Sequence, residues 1–398
     1  MENKSTCVIF ESLYTGHRSE YIRHLMKFIN SQKDLHRKYM FILNKKMREL
    51  LGELYVSCNY FIKFIDFDNI DPNKKHRNLI TKSFWEWKLI SGLISKQMTI
   101  REIIFMNIDP YLVLVASPQF RKFNLAVKGI LFQPYIHFKE INAGTTFFIR
   151  NVVKNYIFQK YSILINSNII KIFILNDRKG VDLMNKQVKK VFYNLPDPIE
   201  NDISSIDVAV SRKIKEKYAI KGDNKNLLVF GSIDDRKNII TIIDSLRLLP
   251  PEIKKNIHLI IAGKLYENVR ESYIEYIERY KDEISIIYND EFVNGEEREP
   301  LFQNCDLVLM AYVNFFSASS VLGHSIIHNK NVVASNKGII GRIVTENNIG
   351  ITVDPTNPNE IKEGIRELLT NHSKFKYNSE ILVDEFSPIN FSQKILLN

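Results

Sequence analysis

Short aliphatic runs rich in β-branched residues recur along this chain, and most are followed by a longer segment whose apolar residues fall at helical spacing. Strands buried on both faces read as continuous apolar runs, and parallel neighbours need a crossover between them, so the alternation predicts parallel sheets wrapped by helices. Strand candidates in the first half are residues 7–13, 39–44, 103–107, 128–133, 172–175 and 190–193. Between the first two, Ile22, Leu25, Met26 and Ile29 follow the i, i+3, i+4, i+7 pattern of one helix face. The second half repeats the scheme with strands at 227–231, 257–262, 284–288, 307–310, 331–334 and 350–353, and helices at 239–248, 273–280, 320–328 and 358–369. No repeat of solenoid length is present. A stretch with two prolines, LPDPIENDISS at 195–205, separates the halves. The expectation is an α/β chain of two doubly wound, Rossmann-like domains, 1–200 and 201–398, the last helix being a candidate to pack back on the first domain. Ligands of such sheets bind outside the carboxyl ends of the strands, which places the expected site in the cleft between the domains.

Charge divides unevenly between these halves. Residues 1–200 hold 31 Lys+Arg against 17 Asp+Glu, a balance of +14, which leaves −4 for residues 201–398. A cationic half suggests an anionic partner, such as a phosphorylated substrate or an acidic membrane face. Nucleic acid is disfavoured because no recognisable binding module accompanies the charge. No apolar run reaches the length of a spanning helix, and the N-terminus reads as a first strand without a signal-peptide cleavage site. The expected location is the cytoplasm, with the inner face of the cell membrane as a further option. Cys7, Cys58 and Cys305 lack CxxC spacing and indicate neither disulfides nor zinc.

Four segments carry chemistry. Thr15-Gly16-His17-Arg18 follows the first strand and opens the first helix, where a glycine lets the backbone approach a ligand and free N–H groups meet an anion. Gly231-Ser-Ile-Asp-Asp-Arg236-Lys237 also joins a strand to a helix. Two adjacent cations there oppose the helix dipole unless an anion is bound. Gly263-Lys264 ends the next strand, pointing to the same sheet edge, so the two basic loops can clamp a diphosphate. Ser319 and Ser320, within FFSASSVLGH, put hydroxyls and main-chain amides at a helix start.

Together these segments resemble the nucleotide-sugar glycosyltransferases of the GT-B fold, particularly the retaining group called family 4 or group 1. The likeness is densest in LLVFGSIDDRKNIITIIDSLRLLP, IHLIIAGK, FVNGEEREPLFQNCDLVLMAY and NVVASNKGIIGRIVTENNIGITVDPTNPNEI, and FYNLPDPI looks like the family's domain hinge. The resemblance implies that Lys237 contacts the donor diphosphate together with Gly16, His17, Gly231, Arg236, Lys264, Ser319 and Ser320. It puts Gly263, Phe292, Val293 and His324 at the nucleoside, and makes His137, with Lys237, a candidate catalytic residue. The family's two glutamates, separated by seven residues, are replaced by Phe316 and His324, so the motif is degenerate.

The reading that follows is transfer of a hexose-type sugar from a UDP- or GDP-sugar to a glycan or lipid-linked acceptor. It expects retention of configuration, no metal or other cofactor, and a role in surface polysaccharide biosynthesis. The basic half would meet the acceptor and touch an anionic membrane peripherally, through loops at 61–77 and 83–96 that include Trp85 and Trp87. The alternatives are a sugar-nucleotide epimerase of the same fold and a non-catalytic GT-B scaffold.

Overall fold

The computed structural model describes residues 5–15, 17–33, 36–57, 59–69, 79–97, 99–136, 154–200, 207–315, 319–371 and 374–397. The chain divides into two compact units. The first comprises residues 1–198 and 388–398, so the last helix, Pro388–Leu396, belongs to it. The second comprises residues 199–387.

The first unit is built on a seven-stranded parallel sheet: β1 (Thr6–Glu11), β2 (Lys38–Asn44), β3 (Tyr60–Ile65), β4 (Ile100–Phe105), β5 (Ala126–Ile130), β6 (Ile169–Leu175) and β7 (Phe192–Leu195), in the order β3-β2-β1-β4-β5-β6-β7. Every residue of β1 is buried, and alternate side chains feed opposite faces: Val8 and Phe10 one core, Cys7 and Ile9 the other. Three of its helices matter below: α1 (Arg18–Ser31), α2 (Leu79–Ile94) and α3 (Lys154–Ile165). On α1, Ile22, Leu25, Met26 and Ile29 are all buried against the sheet, as their spacing predicts.

Two segments read as loops are partly regular structure in this unit. Residues 60–65 form the edge strand β3, whose apolar run Lys63 interrupts, while residues 70–77 of the expected basic loop lie outside the described residues. Residues 83–94 are the body of α2, whose Trp87 packs on Phe120 at 4.7 Å between ring centres inside the core. Trp87 is therefore unavailable to a membrane. Among the described residues, no helix is long and apolar enough to cross one.

The second unit carries a six-stranded parallel sheet: β8 (Lys225–Phe230), β9 (Ile257–Ala262), β10 (Ser285–Asn289), β11 (Leu307–Met310), β12 (Asn331–Ser335) and β13 (Gly350–Val353), in the order β10-β9-β8-β11-β12-β13. The alternation recurs: Leu228 and Phe230 of β8 enter one core, Leu227 and Val229 the other. Its helices include α4 (Ile239–Arg247), α5 (Gly295–Asn304) and α6 (Ser320–Ile327). The chain winds outward through β9 and β10, then returns to place β11 on the other side of β8. That reversal leaves a crevice at the carboxyl ends of β8 and β11, the place where open α/β sheets bind ligands.

Candidate functional site

The site of the second unit starts from two glycines. Gly231, directly after β8, has φ +100°, and Gly263, directly after β9, has φ +143°, conformations that L side chains rarely adopt. A Cβ on Gly263 would lie 1.9 Å from the Gly231 carbonyl oxygen, so the two loops pass in backbone contact and admit no side chain between them. A Cβ on Gly231 would meet Lys237 Nζ at 3.7 Å and Val321 at 4.0 Å, ordinary contact distances, so the glycine lies directly against the lysine head.

Lys237 ends a short turn, Asp235–Lys237, which Asn238 closes in the left-handed region while donating to the carbonyls of Ala311 and Pro355 at 3.1 and 2.6 Å. The lysine side chain is 2% exposed. Its ammonium donates to the Phe230 carbonyl at 2.5 Å and to the Tyr312 hydroxyl at 2.7 Å, and lies 4.3 Å from the centre of the Tyr312 ring. Burial, reinforced by the neighbouring Arg236 charge, brings its pKa down to about 7. Burial pushes the Tyr312 phenol upward, so it stays protonated; it also hydrogen-bonds the Ser319 side chain. Ser319 is the N-cap of α6, and Ser320 is its exposed first residue. One chain of contacts thus joins the ends of β8 and β11 to a helix N-terminus, bringing together Gly231, Lys237 and Ser319. Tyr312 is a participant that sequence reading missed, whereas Asn238 closes the strand-end segment that the sequence singled out.

The remaining candidates divide. Arg236 pairs with Asp234 at 3.0 Å, and its guanidinium lies 4.9 Å from the centre of the Phe315 ring. Lys264 lies 3.4 Å from Asp290, a carboxylate also held by Arg270 at 2.7 Å, so its charge is already compensated. Phe292 is exposed, whereas Val293 is buried in the core. His324 is buried with its Nδ1 3.5 Å from Glu299, which also accepts from His328 at 2.7 Å and Arg298 at 2.7 Å. Burial favours the neutral form of Glu299, but His328, His324 and Arg298 outweigh it and hold the carboxyl down at about 2.

The first unit has its own polar group at the carboxyl ends of β1, β4 and β5. Glu11 accepts from Arg18 at 2.7 Å, and burial raises its pKa against that attraction. Asp109 accepts from the amides of Phe132 and Gln133 at 2.8 and 3.0 Å, yet burial brings its pKa up to about 6. His17 precedes α1, bonded through Nδ1 to Glu20 at 3.1 Å. Gly16 and His137 lie outside the described residues.

Residues 210–380 match the model of the family described as "Glycosyl transferases group 1". The matched segment lies within the second unit. A curated relative, an uncharacterised glycosyltransferase of Methanocaldococcus jannaschii, is 24% identical over 236 residues, which is 59% of each chain. The chain thus spans less than two thirds of that relative's length. Sucrose-phosphate synthase of Thermosynechococcus elongatus shares the fold with a TM-score of 0.69 at 12% identity, over 98% of this chain and 97% of that one. HepE of Anabaena, solved in complex with UDP, does so with a TM-score of 0.68 at 12% identity, over 98% of each chain. The architecture is therefore GT-B, two Rossmann-like units. His324, read from the sequence at the second position of the family's paired glutamates, lies 3.5 Å from the Glu299 carboxylate.

Proposed function

We propose that the chain moves a hexose-type sugar from a UDP- or GDP-sugar to a glycan or lipid-linked acceptor, with retention of configuration, in surface polysaccharide biosynthesis. The observation that carries this reading is Lys237, a buried ammonium set against a positive-φ glycine at the carboxyl end of β8, within the segment that matches the group 1 model. HepE, of the same fold, is described in complex with UDP, which supports a nucleotide-sugar donor.

In glycosyl transfer, negative charge grows on the departing diphosphate, and the group that stabilises it best lowers the barrier most. Lys237 and the N-terminus of α6 offer that stabilisation, and the reading assigns no metal a role. A lysine poised near neutrality gains its proton more completely as a diphosphate approaches, so its charge strengthens where the leaving group forms. The acceptor falls to the first unit, where Arg18, Glu11 and Asp109 gather at the strand ends.

The replacement of both motif glutamates favours, as a second reading, a binding protein without turnover. Incubation with a panel of UDP- and GDP-sugars in the presence of a membrane extract separates these readings. Free nucleotide with glycosylated product is the expected result. An altered sugar still joined to its nucleotide would indicate an epimerase, and binding with neither product would indicate a scaffold.

A further inference from the structure

Helix α3 of the first unit buries Ile163 in the core yet turns most of its apolar residues outward. Its inward positions include Gln159, Ser162 and Asn166 just past its end, all buried. Gln159 accepts from the Tyr135 amide at 2.9 Å and donates to the Gln133 carbonyl at 2.7 Å, while Asn166 donates to the Val115 carbonyl at 2.8 Å. The apolar residues Ile157, Phe158, Tyr161, Leu164 and Ile165 face outward instead, between 42% and 59% exposed. Their spacing of i, i+1, i+4, i+7 and i+8 gathers them into one stripe about 120° wide. Val113, on the short helix Leu112–Val115 that packs beside α3, is exposed as well. Isolated exposed apolar side chains are ordinary, but a contiguous stripe opposite hydrogen-bonded polar residues calls for a partner.

Cations beside the stripe point to that partner. Arg121 donates to the Ile165 carbonyl at 3.2 Å, placing a guanidinium at the C-terminal end of the stripe, and Lys122 follows it, exposed. Lys160 lies within the helix, its ammonium bonded to the Tyr156 hydroxyl at 2.9 Å. Apolar side chains with cations at the margin match the acyl and headgroup layers of an anionic bilayer. We infer that the outward face of α3 is a membrane-docking surface that seats its apolar stripe in the interface of an anionic lipid bilayer. This assignment depends on no property of the donor site, and it replaces the loops at 61–77 and 83–96 as the contact.

The test is cosedimentation of the full chain with vesicles of phosphatidylcholine alone and of phosphatidylcholine mixed with phosphatidylglycerol. Binding is expected to the mixed vesicles, weakening as salt is raised. The triple variant Ile157→Gln, Phe158→Gln, Ile165→Gln should bind about tenfold more weakly or worse, with an unchanged circular dichroism spectrum. Arg121→Gln with Lys122→Gln should reduce the preference for anionic lipid. Independently, Phe158→Trp should shift its emission to the blue on addition of mixed vesicles. Wild type that ignores mixed vesicles, a triple variant that binds like wild type, or a Phe158→Trp emission that does not move would each overturn the inference. So would a wild-type dimer that the triple variant converts to monomer, because a second copy would then be the occupant.

Discussion

Lys237 is the residue on which the proposed donor site turns, and its environment makes quantitative demands. The lysine contributes an ammonium only below its folded pKa of about 7. UDP affinity should therefore fall as pH rises above 7, by up to roughly tenfold per pH unit until the bound-state pKa is reached. Tyr312 accepts a hydrogen bond from that ammonium, so removing the hydroxyl disfavours the charged form. With Tyr312→Phe, the pH midpoint of UDP binding should move lower, measured by titration calorimetry across pH. A merely structural tyrosine would leave the midpoint in place while changing stability. Glu299 obeys the opposite sign. Its folded pKa of about 2 lies below the usual carboxylate value, so its stabilising contribution is present above about pH 4.5 and disappears as pH falls toward 2. Glu299→Gln should cost a few kcal/mol at pH 7 by denaturant unfolding, with the difference from wild type shrinking through that acid window. Lys237 is legible in the sequence because a cation beside a strand-end glycine is a local signal. Tyr312 is not, because its role arises only when β11 is laid beside β8, bringing together residues 75 apart in the chain.

At the scale of elements, the β8 and β9 loops stand or fall together. A methyl group on Gly263 would collide with the Gly231 carbonyl and would force an unfavourable φ. Gly263→Ala should destabilise the chain by about 3 kcal/mol or more, and weaken UDP binding in whatever protein folds. A mild effect on both would show that the loops separate easily. The central strands announce themselves: β9 and β11 occupy 257–262 and 307–310 as their aliphatic runs predict, because strands buried on both faces leave little room for polar residues. Edge and interrupted elements are harder to read. In β3, Lys63 falls among aromatic residues, and α5 contains Gly295 and Pro300, so neither shows an unbroken pattern. The outward apolar stripe of α3 is also unreadable from spacing alone, since such a stripe ordinarily marks the face turned inward.

At the scale of the whole molecule, the two units divide the charge as well as the fold. The basic first unit offers the apolar stripe of α3, while the second offers the buried lysine. Saturating UDP, at about a hundred times its Kd, should add about 2.7 kcal/mol to stability. Hydrogen exchange should slow at residues 230–238, 311–313 and 319–322 more than along the β10 edge; uniform slowing would place the nucleotide elsewhere. The measurement that most directly tests the central claim is calorimetric titration of UDP into wild type and Lys237→Met at pH 6.5. Removing a buried cation that folding must desolvate should leave the thermal midpoint unchanged or raised, while UDP affinity falls about a hundredfold or more. Equal affinity in a folded Lys237→Met protein would contradict the account.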